Sequence, residues 1–242
     1  MRAGTSLMVH ASLRKLGPVE GGAEAVLDAL LGALGADGTL LMLLSADADD
    51  ALPFETLTSP AYREMGVLAE VFRRRAGTQV NDHAVARFGA SGPGASALLH
   101  PAPLHNYYGS NSVLERFVQA DGQVVRLGAD IDTVTLTHWA EYRADLPHKR
   151  RARRRYVRAD TGEQWIDSLD DTDGIAVWSG GDYFPRILLD FLAQGQARVG
   201  TVGGCTAELF GAREFTDFAT EWMEQHLTDT PPTQREFPDD QP

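Results

Sequence analysis

The 242-residue chain reads as one α/β domain, a mostly parallel central sheet flanked by helices with an added β-hairpin region. Three observations carry this. Residues 7–44 run strand, helix, strand with short joints, and such a unit returns the chain to the same end of the sheet, so its strands pair in parallel. A third apolar run, 124–127, breaks at Gly128 and leads into a segment bearing His138 and Glu141. Residues 156–169 then alternate in polarity about Thr161-Gly162, as hairpin strands do.

Taken in order, residues 7–13 (LMVHASL) form the first buried strand, and 14–22 a loop marked by Gly17-Pro18 and Gly21-Gly22. Val26, Leu27, Leu30, Leu31 and Leu34 recur at helical spacing until Gly35. Residues 39–44 are the second buried strand, and 45–60 a polar loop holding Asp47, Asp49, Asp50 and Glu55. The next helix, 65–75, has a basic end that suits a helix C-terminus. Strand is expected over 80–88, a turn over 89–94, and helices over 95–99 and 113–119 with loop between them. Residues 135–144 have the His and Glu of a helical face, but the run Thr133-Val134-Thr135-Leu136-Thr137 favours strand, so both states stay open here. Asp170, Asp171 and Asp173 make an acidic turn, and 184–194 and 215–227 are helical. The single domain spans 1–228, and the stretch 229–242, ending in PPTQREFPDDQP, reads as a disordered tail.

Twenty-two basic and 34 acidic residues leave a net charge of −12, which argues against nucleic acid as a partner. The balance is uneven. Residues 149–158 (KRRARRRYVR) hold seven basic groups and no acid, leaving the remainder at −19. That remainder would attract a polycation. The strip would meet an anionic cofactor or pair with neighbouring carboxylates. The lone Cys205 excludes an internal disulfide and reads as a small buried hydrophobe. No apolar run approaches the roughly 20 residues a bilayer requires, and no signal pattern opens the chain, so no membrane and a cytoplasmic location are expected.

Walker, G-x-G-x-x-G, G-x-S-x-G and H-E-x-x-H motifs are absent. Four separated pieces nonetheless resemble the aminoglycoside 3-N-acetyltransferase family: VHASLRKLG from Val9, GADGTLLM from Gly35, NDHAVARFGASGP from Asn81 and LGADIDTVTLTHWAE from Leu127. The fourth is the most specific, similar to a family pattern L-G-x-G-x-D-x-N-T-x-x-H-x-A-E. Asp132, Thr135, His138 and Glu141 are retained, while Ala11, Leu43, Ala84, Asp130 and Val134 depart from the family's usual residues.

The resemblance implies transfer of an acetyl group from acetyl-CoA to the 3-amino group of an aminoglycoside, conferring resistance, with no metal. His138 is then the general base, Glu141 the carboxylate that holds its tautomer, and Asp132 either a third catalytic group or the N-cap of the helix. Acetyl-CoA would be met by Ser12, Leu13 and Arg14 at a strand's carboxyl end and by Asn81. The cationic drug would be met by Asp49, Asp50, His83 and Asp170. A homodimer is left open. Two other readings compete: a metallohydrolase using His138, Glu141, His83 and an aspartate as ligands, and a non-catalytic acidic protein that sequesters cationic antibiotics.

Overall fold

The computed structural model describes residues 1–227 and 234–237. β1 (Ser6–Ala11) ends in a single helical turn, α1 (Leu13–Leu16), capped by the Ser12 side chain. α2 (Gly22–Leu34) buries Val26, Leu27, Leu30 and Leu34 on one stripe, and β2 (Thr39–Leu43) returns parallel to β1. α3 (Gly66–Arg74) packs beside α2. β3 (Gln79–Val80), β4 (Phe88–Ser91), α4 (Ala95–Leu99) and α5 (Val113–Gln119) follow. β5 (Gln123–Leu127) then lies parallel to β1 on its other side. Beyond α6 (Leu136–Arg143), β6 (Arg151–Arg158) and β7 (Gly162–Leu169) form the hairpin. The chain continues through α7 (Tyr183–Ala193), β8 (Arg198–Val202), β9 (Cys205–Gly211), α8 (Ala212–His226) and β10 (Gln234–Phe237).

The main sheet has the order β3-β4-β2-β1-β5-β9-β8, and β10-β6-β7 form a second, small sheet. The centre, β2-β1-β5, is parallel, and the strands on both flanks join antiparallel. The central strands are largely apolar because both faces are covered, with His10 of β1 and Arg126 of β5 as buried polar exceptions. Leu7, Val9, Leu40 and Met42 face the layer of α2 and α3. Met8, Leu41 and Val124 face a larger cluster with Phe117, Trp139, Phe191 and Phe215.

Three segments differ from the sequence expectation. Residues 81–87 leave the sheet, because the Asn81 side chain takes over ladder bonds: its Nδ2 donates to the Ala86 carbonyl and its Oδ1 accepts from Phe88 N–H. Gly203 and Gly204 link a β8–β9 hairpin where no strand is expected, because β8 is exposed on every residue and has no apolar alternation. Of the expected disordered tail 229–242, residues 229–233 and 238–242 lie outside the described residues, whereas Gln234–Phe237 pairs in parallel with β6. A strand edge with unpaired backbone groups invites such a partner.

The parallel centre directs the carboxyl ends of three strands to one edge. Leu43 ends β2, Ser12 N–H donates to Leu127 O (2.9 Å) where β1 and β5 finish, and Gly128 turns the chain towards α6. Gly128 has φ +63°, and a Cβ there would come within 2.8 Å of Cys205 Cβ and 3.0 Å of Lys15 Cβ. Gly128→Ala is expected to combine about 1–2 kcal/mol of left-handed backbone strain with roughly 1–3 kcal/mol of overpacking. Urea unfolding should show a lower midpoint at an unchanged slope.

Candidate active site

α6 settles the helix-or-strand question in favour of helix, since Leu136, Trp139 and Ala140 bury completely or nearly so against the core and override weak local propensity. Three residues apart on this helix, His138 and Glu141 share a face. His138 Nδ1 lies 2.8 Å from Glu141 Oε2, the imidazole 15% exposed and the carboxylate 1% exposed. A carboxylate only accepts, so Nδ1 carries the proton and Nε2 is the free basic nitrogen. Tyr183 O–H donates to the second carboxylate oxygen, Oε1, and accepts from Ile175 N–H at 2.8 Å. The ring of Tyr108 stacks on His138 at 4.9 Å and 5°, and Phe184 meets it edge-on at 5.1 Å. Burial opposes a charged imidazole, yet the hydrogen bond and charge of Glu141, with Asp171 adding, raise the His138 pKa above its ordinary value.

His138 opens on a cleft of about 700 Å³. One wall is the loop entering α6, from Asp132 to Thr135; the other is Asp171–Gly174 with Trp178, Asp182 and Phe184. Leu43 reaches it from the end of β2. The acidic wall is braced from behind. Arg150 donates to the carbonyls of Asp173, Gly174 and Ala176. Arg154 bonds Asp171 Oδ1 at 2.6 Å and Thr172 Oγ1 at 2.7 Å, and Tyr107 O–H donates to Asp171 Oδ2 at 2.6 Å. Among the described residues, no group of three or more His, Cys, Asp or Glu is arranged to hold a metal ion.

Residues 8–224 match the family model for aminoglycoside 3-N-acetyltransferase. The chain belongs to the aminoglycoside 3-N-acetyltransferase family. Aminoglycoside N(3)-acetyltransferase III of Pseudomonas aeruginosa is 36% identical across 95% of this chain and 91% of its own length. Aminoglycoside N(3)-acetyltransferase VIII of Streptomyces fradiae is 33% identical across 93% and 87%. The solved binary complex of AAC-IIIb with CoASH superposes with a TM-score of 0.87 at 35% identity, covering 95% of this chain and 93% of that one. Sisomicin-bound AAC-VIa gives 0.85 at 29% identity, covering 93% of each.

Within this family framework the sequence-derived site residues separate. His138 and Asp132 both line the cleft, with Glu141 buried behind His138, but Asp132 does not cap α6: its carboxylate accepts from the Thr133 hydroxyl, and the helix begins after Thr135. Ser12, Leu13 and Arg14 gather at the carboxyl edge of β1, with Arg14 exposed. Asn81 is fully buried with its amide committed to the loop it shapes. His83 is likewise buried: Nδ1 accepts from Val85 and Ala86 N–H, Nε2 meets the Leu104 carbonyl at 3.0 Å, and burial lowers its pKa to about 4. Asp49 accepts from its own loop, at Ala51 and Leu52 N–H, while Asp50 accepts from both terminal guanidinium nitrogens of Arg155. Asp170 is fully buried and accepts from Thr172 N–H, Asp173 N–H and Arg154, so its neighbours Asp171 and Asp173 line the cleft instead.

Tyr183, Tyr108, Phe184 and Trp178 escaped sequence reasoning. Aromatic residues at loop ends carry no periodic signal, and only Asp182 as N-cap of α7 was readable in GGDYF. With Nε2 acting as a base, only neutral His138 is competent, and activity should then rise with pH through an apparent pKa above the ordinary histidine value of about 6.5. Glu141→Gln removes the charge that holds the proton. It should move this acidic limb to lower pH while reducing the maximal rate, as read from kcat/KM against pH.

Proposed function

We propose that the chain transfers the acetyl group of acetyl-CoA to the 3-amino group of an aminoglycoside, with His138 as general base and Glu141 as its orienting carboxylate. The pairing of a helix-borne His–Glu dyad with a wide, acid-walled cleft carries this reading. An ammonium cannot attack a thioester, so the amine must reach the site unprotonated or give up its proton during attack. His138 Nε2 accepts that proton as the amine nitrogen bonds the thioester carbon; the carbon–sulfur bond then breaks and CoA departs as the thiol or thiolate. Glu141 offsets the positive charge that the imidazole acquires, and stacking on Tyr108 adds a cation–π contribution.

Acetyl-CoA supplies the activated acyl group, and the residues at the carboxyl edge of β1 fit its anionic end. Ser12 offers a hydroxyl, Arg14 an exposed cation, and α1 its first backbone N–H groups. The basic strip is a weaker candidate. Its buried members already face carboxylates or carbonyls. Asp132, Asp171, Asp173 and Asp182 suit an acceptor with several ammonium groups, each of which needs a counter-charge when water is displaced. A cytoplasmic location accords with a requirement for acetyl-CoA.

Thiol release from acetyl-CoA across a set of aminoglycosides tests the activity, and product NMR tests the site of acetylation; drug binding without thiol release would leave the sequestering reading. His138→Ala should lower kcat by on the order of 10²- to 10⁴-fold with acetyl-CoA binding nearly unchanged. A folded mutant within threefold of wild type would remove His138 from the chemistry.

The acidic wall predicts an asymmetry between substrates. Asp173→Asn should raise the acceptor KM several-fold and leave that of acetyl-CoA within about twofold, since a partly exposed ion pair contributes up to about 1 kcal/mol. Added salt should act in the same direction on the acceptor, because screening sets in over about 8–10 Å. Initial-rate measurements with each substrate varied in turn check both.

A further inference from the structure

Tyr183 stands outside the His–Glu dyad, yet its hydroxyl is the joint between the dyad and the acidic wall. It is 3% exposed and opens α7. A backbone N–H can only donate, so Ile175 N–H fixes the phenol oxygen as its acceptor, and the single phenol hydrogen is left for Glu141 Oε1. The chain of donors therefore runs in one direction from the Ile175 amide to Tyr183, and Glu141 receives from Tyr183 on one oxygen and from His138 on the other. Gly174, at φ +71°, allows this approach, since a Cβ there would lie 2.4 Å from the Tyr183 hydroxyl oxygen. Arg150 holds the same loop by its carbonyls, and its own N–H donates to Ile175 O at 2.7 Å.

We propose that Tyr183 is a positioning residue that tunes the proton affinity of the His138–Glu141 pair and ties it to the loop forming the acidic wall. This rests on His138 being the base. A buried carboxylate that loses a donor becomes harder to keep charged beside a neutral imidazole. Whether the incoming proton then settles on the imidazole or on the carboxylate, the pair binds it more tightly, so the apparent pKa of the pair rises. Removing the Tyr183 hydroxyl thus shifts the pair upward, opposite in sign to removing the charge of Glu141.

The other charged and titratable groups around the pair come from several elements. Asp171 faces His138 from the turn after β7 and Arg154 from β6, and Tyr108 stacks on it from the loop before α5 with Tyr107 against Tyr108. Tyr142 and Lys149 feel Glu141 from α6 and the segment after it, Arg150 acts on Tyr183, and Asp132, Asp173 and Asp182 line the cleft. Substituting Tyr183 by Phe removes none of these groups and takes away only the hydroxyl.

The test measures kcat/KM against pH for wild type and Tyr183→Phe, together with the titration of His138 by NMR in both. The expected result is an acidic limb and an NMR titration both moved up by about half to one pH unit, equivalent to a roughly three- to tenfold loss of rate on the limb that recovers at higher pH. A lower rate at every pH with an unmoved titration would overturn the proposal, leaving Tyr183 a packing residue. A downward shift would overturn it too. Should Tyr183→Phe fail to fold, 3-fluorotyrosine placed at position 183 keeps the shape and strengthens the donor, and must move the NMR titration downward; no movement there overturns the proposal. An NMR shift without a matching shift in rate would sustain the tuning of the pair and overturn His138 as the base.

Discussion

Glu141 is a carboxylate with 1% of its side chain exposed, and the surroundings of the site follow from the need to keep it charged. Removing an ionised group from water costs several kcal/mol unless its oxygens are paired. Here the donors reach different oxygens from two elements: His138 from the same helix, and Tyr183 from the start of α7. Tyr183 in turn needs the Ile175 amide, and that amide belongs to a loop whose carbonyls are gathered by Arg150. One buried charge thereby sets the relative placement of α6, α7 and the acidic turn.

The distribution of charge has a comparable logic. The basic strip that stands out in the sequence folds mainly into β6, where alternate side chains diverge to two sides. Arg154, 7% exposed, points to Asp170, Asp171 and Thr172 beneath the cleft. Arg155 and Arg158 reach the acidic loops through Asp50 and Asp82, while Arg153 lies over the Trp165 ring. These cations organise carboxylates on the protein itself. Such pairs add little net stability, but they fix geometry, and here they hold one carboxylate wall in place.

A parallel centre with antiparallel flanks places the candidate site at one edge. β2, β1 and β5 end together, so Leu43, the Ser12–Arg14 turn and the loop after Gly128 converge without a long connection. Open α/β sheets bind ligands at such edges because the strand ends release loops there. α6 rises from that same edge, and its buried face fastens the dyad to the larger core cluster.

Much of this was legible in the chain itself. Apolar runs and helical spacing defined the central strands and most helices, since burial on both faces writes itself into consecutive residues, and the spacing of His138 and Glu141 named the dyad once helix was assumed. What local pattern could not supply was decided by contacts between distant segments. Asn81 and His83 resemble site residues in sequence but turn inward to satisfy the backbone of their own loop. Asp49 and Asp170 are equally acidic on paper, yet one closes a local turn and the other binds Arg154 and backbone amides out of solvent. Tyr183, 42 residues from Glu141, reaches its second carboxylate oxygen. Composition and periodicity record which residues avoid water. Which carboxylate faces a substrate, and which tyrosine reaches it, depends on how separate elements meet, because a hydrogen bond is directional and short-ranged while the hydrophobic pattern is neither.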